Sequence, residues 1–341
     1  MPPFIVTRDA VSVRLRSETL EVLLRDGAGG SPRTIVIPLH DVERVFLCGR
    51  PDVSMAVLHE LMKRGIPAVF LSGRGRYLGA LCHDAPANAL RRIRQYEFFR
   101  DDAGRRLAAS RIVHAKIRNA RRVLQRLAAP RGEVGSPAQK DVLAKLRRLC
   151  LAARRGTETL DEITGIEGAA AAAYFRRLGD FFPPEFPFAE RSRRPPRDAA
   201  NALLSYGYAV VAGEMESAVR AHGLDAGIGF LHVPGHDVPA LALDLLEPLR
   251  APLCDMLALH LLNHRILRPE HFRTEAGGGG VFLVDEAKPL FFGAYEQTMT
   301  RRFTPVGGGA RVDFRQVVEQ QVYAVLKLLE GSREFGFFLA P

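Results

Sequence analysis

The chain has 341 residues, 47% of them hydrophobic, and a formal net charge of +10. That length and apolar content accommodate two domains with sizeable cores and argue against disorder. The amino terminus, MPPFIVTRDAVSV, has no basic segment followed by an apolar one, and no window of about 18 uncharged apolar residues follows, so a cytoplasmic protein without membrane association is expected.

The first 80 or so residues read as strands. Val11, Val13 and Leu15 alternate at period two, and RTIVIPL follows the turn signal DGAGGSP. Ser54 is placed to cap the helix of SMAVLHELMKRG, which Gly65 stops, and IPAVFLSGRGRYLGAL returns to strand. Its glycine-rich GRGRYLG lies between two strands and is read as a hairpin rather than a phosphate cradle. From about Pro86 long helices follow at 87–103 and 104–129, and then one opened by Ser136 and Pro137. Next comes TGIEGAAAAAYF, five alanines after the lone carboxylate Glu167, expected to be a core helix because it is apolar around its circumference. A proline-rich break, FFPPEFPFAERSRRPP, precedes a helix capped by Asp198 and ending at Gly223. An apolar helix near 249–264, a flexible EAGGGG and a final helix near 313–331 complete the chain. The expected class is α+β: a small β-rich domain over 1–85, then a larger all-α domain over 86–341.

On the alanine helix Glu167 shares a stripe with Ala170, Ala171 and Tyr174, whereas Arg176 and Arg177 can turn to solvent. A carboxylate facing packed structure requires a partner. His232 ends an apolar segment, and Asp244 and Glu247 stand three apart in another, on one side if that stretch is helical. Pro248 and Pro252 place the helix start close to Glu247. A Glu and a His from separate segments plus a carboxylate pair suit a divalent ion. The competing explanations are a core histidine, a helix cap or an ion pair with Arg250, and an arginine of the basic stretch bonded to Glu167. His260 and His264, four apart, lack the glutamate of a zinc hydrolase helix. The four cysteines, Cys48, Cys82, Cys150 and Cys254, form no C-x-x-C pair and are expected to be reduced, mostly core thiols.

Residues 91–131 hold thirteen Arg or Lys against Glu97, Asp101 and Asp102, so this stretch carries the whole excess of positive charge. Such a concentration points to a polyanion, nucleic acid above all, against the alternative of a solvated helical face.

Six segments in order, GRYLG, RQYEFF, AKIRNARRVL, GIEGAAAAAYF, RRPPRDAANALLSYGYAVV and GFLH followed by LDLLEPLRAPLCD, resemble the CRISPR-associated integrase family, the larger of the two proteins of spacer acquisition, often called the CRISPR-associated endonuclease. The resemblance implies a β-rich domain on a helical catalytic domain. It implies catalytic metal ligands at Glu167, His232 and Glu247, with Asp244 as an accessory acid. Magnesium or manganese is the implied ion, and double-stranded DNA, as prespacer and CRISPR repeat, the implied substrate. Arg91, Lys116, Arg118, Arg121, Arg122, Arg193 and Arg194 become the candidate DNA contacts. A homodimer through the amino-terminal domains and a small ferredoxin-like partner nuclease are also implied. Two rivals stand beside this reading: a non-catalytic nucleic-acid-binding protein with Glu167 in a structural ion pair, and a metal hydrolase of small anionic substrates.

Overall fold

The structure, a computed structural model, describes residues 4–6, 10–24, 32–72, 77–81, 89–157, 159–236, 238–275, 280–332 and 334–341. Cys82, the tip of the GRGRYLG hairpin and most of EAGGGG lie outside them, as does the boundary expected near 85.

The amino-terminal part builds two four-stranded sheets. In one, β1 (Phe4–Val6), β5 (Val45–Cys48) and β7 (Ala68–Leu71) run parallel and β8 (Tyr77–Leu81) pairs antiparallel with β7, as the hairpin reading requires. In the other, β2 (Ala10–Arg16), β3 (Thr19–Leu24) and β4 (Arg33–Pro38) form an antiparallel meander, with β6 (Asp52–Val53) parallel to β2. Helix α1 (Met55–Lys63) is capped by the Ser54 hydroxyl, which accepts from the Val57 amide. β5 and β7 read VFLC and AVFL because both faces are buried. Val45, Leu47 and Ala68 join the core of the sheets, whereas Phe46, Cys48, Val69 and Leu71 pack into the helical core. Arg44, just before β5, pairs with the buried Glu214 across the same junction.

The helical part follows in chain order as α2 (Ala89–Arg100), α3 (Asp102–Ala128), α4 (Pro137–Arg155), α5 (Leu160–Gly179) and α6 (Ala199–Ala221). α3, α4 and α5 pack against one another, and α6 is buried along most of its length. Side-chain caps at Ser136, Thr159 and Asp198 start α4, α5 and α6. The α+β expectation is met. No helix among the described residues is long and apolar enough to cross a membrane.

Four local expectations change. The helical run carrying Asp244 begins at α7 (Ala240–Leu246), not near Glu247. The prolines are absorbed by a change of helix type, to a 3₁₀ turn at Glu247–Leu249 and a π-type turn at Arg250–Asp255 before α8 (Met256–Asn263). A proline forbids the regular i to i−4 ladder but not a tighter or wider turn. After it the chain forms the hairpin β9 (Phe272–Thr274) and β10 (Val281–Leu283), then α9 (Lys288–Thr300) and α10 (Phe314–Leu329). The hairpin and α9 were not expected, because α9 is buried by tertiary packing of Phe291, Phe292 and Tyr295 rather than marked by a clean amphipathic stripe. α5 is buried on one side only: Ala170, Ala173 and Tyr174 are buried but Gly168 and Ala172 are exposed. Arg177 does not reach solvent, since its guanidinium bonds Gln139, Glu133 and Asp180.

Candidate metal centre and basic face

Four segments converge on the site. Glu167 comes from the second turn of α5, Lys116 from the middle of α3, His232 from the loop after α6, and Asp244 and Glu247 from the end of α7 and the 3₁₀ turn. The loop Phe230–His232 is wrapped around the Asp244 carboxylate, which is fully buried. One oxygen accepts from the Phe230 amide and, at 2.9 Å, from the Leu231 amide. The other accepts from the His232 amide at 2.9 Å and contacts His232 Nδ1 at 2.6 Å. The close wrap explains Gly229: a Cβ there would lie 2.8 Å from the Ala240 carbonyl carbon and 2.8 Å from Asp244 Oδ2.

With Nδ1 taken by Asp244, the free ring nitrogen of His232, Nε2, faces Glu247 Oε1 at 3.8 Å. Burial alone would lower the imidazole pKa, but the hydrogen bond and charge of Asp244, aided by Glu247, hold it above the ordinary value. Glu247 is buried, which would raise its carboxyl. The charges of Arg250, Lys116 and His232 outweigh burial and bring it down to about 2. It is therefore ionised at any working pH.

Lys116 Nζ bonds Glu167 Oε1 and lies 2.5 Å from Glu247 Oε2. The partner demanded by Glu167 is thus a lysine of the basic stretch. Lys116 is engaged between the two carboxylates rather than presented to solvent as a DNA contact. The pairing of Glu247 with Arg250 is also present, NH2 to Oε1 at 2.9 Å. Among the described residues no three His, Cys, Asp or Glu side chains already stand together as a metal-binding group, and the Lys116 ammonium bonds both Glu167 and Glu247. It fills the gap between Glu167 and Glu247. That gap holds a cation in a field of two carboxylates, with an imidazole nitrogen aimed at its edge. Hard oxygen donors plus one nitrogen fit manganese or magnesium, and the Asp244–His232 contact is the orientation that metal-ligating histidines use. His260 and His264 do not join this group; their rings contact each other, 4.6 Å apart, at the end of α8.

The basic stretch divides. Several members are structural: Arg91 donates to the His222 carbonyl at 2.6 Å, Arg105 to Phe230 at 2.9 Å, Arg122 to Pro341 at 2.8 Å, and Arg131 to Asp180 at 2.7 Å. α3 rotates about 100° per residue, so Lys116 shares the inward side with Ile112, Ala120 and Val123. Arg111, Arg118 and Arg121 lie on the opposite side, Arg111 exposed and Arg118 and Arg121 half-buried beside α4. Arg118 and Arg121 each bury a guanidinium nitrogen without a hydrogen-bond partner. Their charges, with that of Arg154 on α4, act together on Cys150, which contacts His114. Like charges without carboxylates between them suit a polyanion. Arg193 and Arg194 are exposed in the proline-rich break, and Arg193 lines a cavity beside Lys116. Sequence reasoning missed Asp255, whose only signal was a single acid inside the apolar run PLCDMLALHLL.

A family model described as CRISPR associated protein Cas1 matches residues 4–297. A protein named CRISPR-associated endonuclease Cas1 3, from Thermus thermophilus, is 35% identical over 295 residues, 86% of this chain and 85% of that one. The fold is similar to that of a casposase bound to integration product, with a TM-score of 0.86 and 22% identity over 100% of this chain and 94% of that one. It is also similar to a Cas6-RT-Cas1–Cas2 complex, with a TM-score of 0.79 and 24% identity over 99% of this chain and 36% of that one. With a family model spanning most of its length and a relative more than a third identical, the chain belongs to the Cas1 family of CRISPR-associated proteins.

Proposed function

We propose that this protein is a divalent-metal-dependent DNA endonuclease and integrase of CRISPR adaptation, inserting short duplex DNA into the array by attack of a 3′-hydroxyl on a repeat phosphodiester. The observation that carries the reading is the Lys116 cation held between Glu167 and Glu247, with His232 Nε2 3.8 Å from Glu247 Oε1, in a chain of the Cas1 family. When bound there, a divalent cation supplies Lewis-acid polarisation of the attacked phosphate and a lowered pKa for the attacking hydroxyl. Glu167 and Glu247 supply the two carboxylates that would hold the cation. Asp244 holds the His232 ring so that Nε2 presents its lone pair. Lys116, which bonds both carboxylates, would keep a positive charge at the site where negative charge grows on the attacked phosphate. The 3′ oxygen forms the new bond to phosphorus as the old P–O bond breaks, and the leaving strand departs with a 3′-hydroxyl.

Arg111, Arg118 and Arg121 of α3 are assigned to the duplex. Each phosphate contact contributes about −0.9 to the slope of log affinity against log salt. Reversing the charge of Arg118 and Arg121 is expected to flatten that slope by roughly two units, measured by fluorescence anisotropy across a salt series. Unchanged binding at low salt would remove this face from the interface. The sheets' own hydrophobic cluster, from Val6 to Ala68, supports a domain division near residue 85, and the β-rich domain is the expected surface for pairing two copies of the chain. The Cas1–Cas2 complex with the shared fold supports Cas2 as the small partner, expected to be ferredoxin-like.

One observation favours a second reading. The Lys116 bridge is what a purely structural role for Glu167 would show, in a protein that binds DNA without cutting it. Metal-dependent cleavage separates the two. Manganese should activate better than magnesium, because it accepts the imidazole nitrogen more readily. His232→Asp should weaken that preference. Full cleavage in chelator, or none with either ion, would overturn the catalytic reading.

A further inference from the structure

Behind the candidate metal centre lies a carboxylate with no part in the reaction described above. Asp255, 1% exposed, ends the π-type turn. It accepts from the Tyr174 hydroxyl at 2.9 Å and from the Tyr208 hydroxyl at 2.6 Å. Tyr174 stands seven residues after Glu167, two turns along the same face of α5. Tyr208 belongs to α6, and its ring carries the Arg250 guanidinium at 4.7 Å, which in turn bonds Glu247 at 2.9 Å. Asp255 is therefore tied to both carboxylate-bearing segments, to α5 through Tyr174 and to Glu247 through Tyr208 and Arg250.

The backbone explains why such a tie is needed. Residues 247–255 pass from a 3₁₀ to a π-type turn and contain Pro248 and Pro252, so two amide donors are missing and the regular ladder is broken. Side chains tie this segment to its neighbours instead: Asn119 of α3 bonds the Pro248 carbonyl at 2.8 Å, and Asp255 holds the segment to α5 through Tyr174. We propose that Asp255 is a positioning residue that, with Tyr174 and Tyr208, sets the separation of the Glu167 and Glu247 carboxylates and so the width of the cation site. The proposal rests on the assignment of Glu167, His232 and Glu247 as ligands. Burial pushes the Asp255 carboxyl up to about 6 despite the two tyrosine hydroxyls and the charges of Arg191 and Arg250. A carboxyl raised above its unfolded value contributes stability that is present at low pH and lost as pH rises through about 6. The charge is thus kept at neutral pH against the stability of the fold, as expected of a group retained for function.

The test is direct titration of Mn²⁺ by the electron paramagnetic resonance signal of the free ion, on the full-length protein, alongside thermal unfolding. Asp255→Asn, Tyr174→Phe and Tyr208→Phe are each expected to raise the Mn²⁺ dissociation constant by about 10- to 100-fold, the range found when groups that orient metal ligands are removed. Asp255→Asn should also gain stability relative to the unmodified protein as pH rises from 5 to 8. Folded variants that bind Mn²⁺ as tightly as the unmodified protein, with only their melting temperatures changed, would reduce Asp255 to a structural group and overturn the proposal. Tight binding retained in Glu167→Ala would instead overturn the ligand assignment. The tyrosine variants keep their rings and report on the tie even if Asp255→Asn does not fold.

Discussion

Glu167→Ala is expected to lower the rates of DNA cleavage and strand transfer by about a thousandfold or more while leaving duplex affinity within a factor of about two. Losing one of two carboxylates from a cation site forfeits several kcal/mol of transition-state stabilisation, and each 1.36 kcal/mol is about tenfold in rate. On the proposed assignment of Arg111, Arg118 and Arg121 to the duplex, on the opposite side of α3 from Lys116, affinity should be spared. The variant also frees Lys116 from one of its two carboxylates. Single-turnover cleavage and anisotropy on the same preparation separate the two effects. Equal loss of both would mean that Glu167 acts on folding or DNA binding rather than on chemistry.

The second large effect is on stability. Asp244→Ala is expected to destabilise the fold by about 3–5 kcal/mol, because it leaves the Phe230, Leu231 and His232 amides in a buried loop without an acceptor. Asp244→Asn should unfold at a urea concentration between the two and still be inactive. Its single amide oxygen can serve the Phe230 and Leu231 amides, but its NH₂ group then faces His232 and donates to Nδ1. That drives the ring proton to Nε2 and removes the lone pair that the site requires. An Asp244→Ala protein with an unchanged urea midpoint would place Asp244 among the cation ligands instead. Its geometry argues otherwise, since both of its oxygens are already filled by N–H donors.

How far the sequence could be read depends on which forces wrote each feature. The strands of RTIVIPL and IPAVFL, the caps at Ser54, Ser136 and Asp198, and the long helices are local signals, and they fold as read. The path around Pro248 and Pro252 was misread because proline forbids a regular α-helix without saying which irregular turn replaces it. α9 went unseen because its faces are buried by neighbours on several sides. Within the site, the lone carboxylate before an alanine run pointed to a buried partner, but composition could not say that the partner is Lys116, fifty-one residues earlier in the chain. The thirteen basic residues counted as one feature, yet burial divides them into carbonyl caps, a site lysine and the arginines opposite it. Only packing makes that division. Asp255 left almost no trace, because its significance lies in two tyrosines from different helices.

The central claim is that Glu167, His232 and Glu247 form one metal-dependent centre that joins a DNA 3′ end to a phosphodiester. Its most direct measurement is strand transfer of a short labelled duplex into a supercoiled plasmid carrying a CRISPR repeat, with Cas2 present and Mn²⁺ as the only divalent ion. The account predicts labelled integration product at the repeat with the unmodified protein, and none with chelator or with Glu167→Ala, His232→Ala or Glu247→Ala. Integration that persists in chelator, or in any one of those variants, would contradict it.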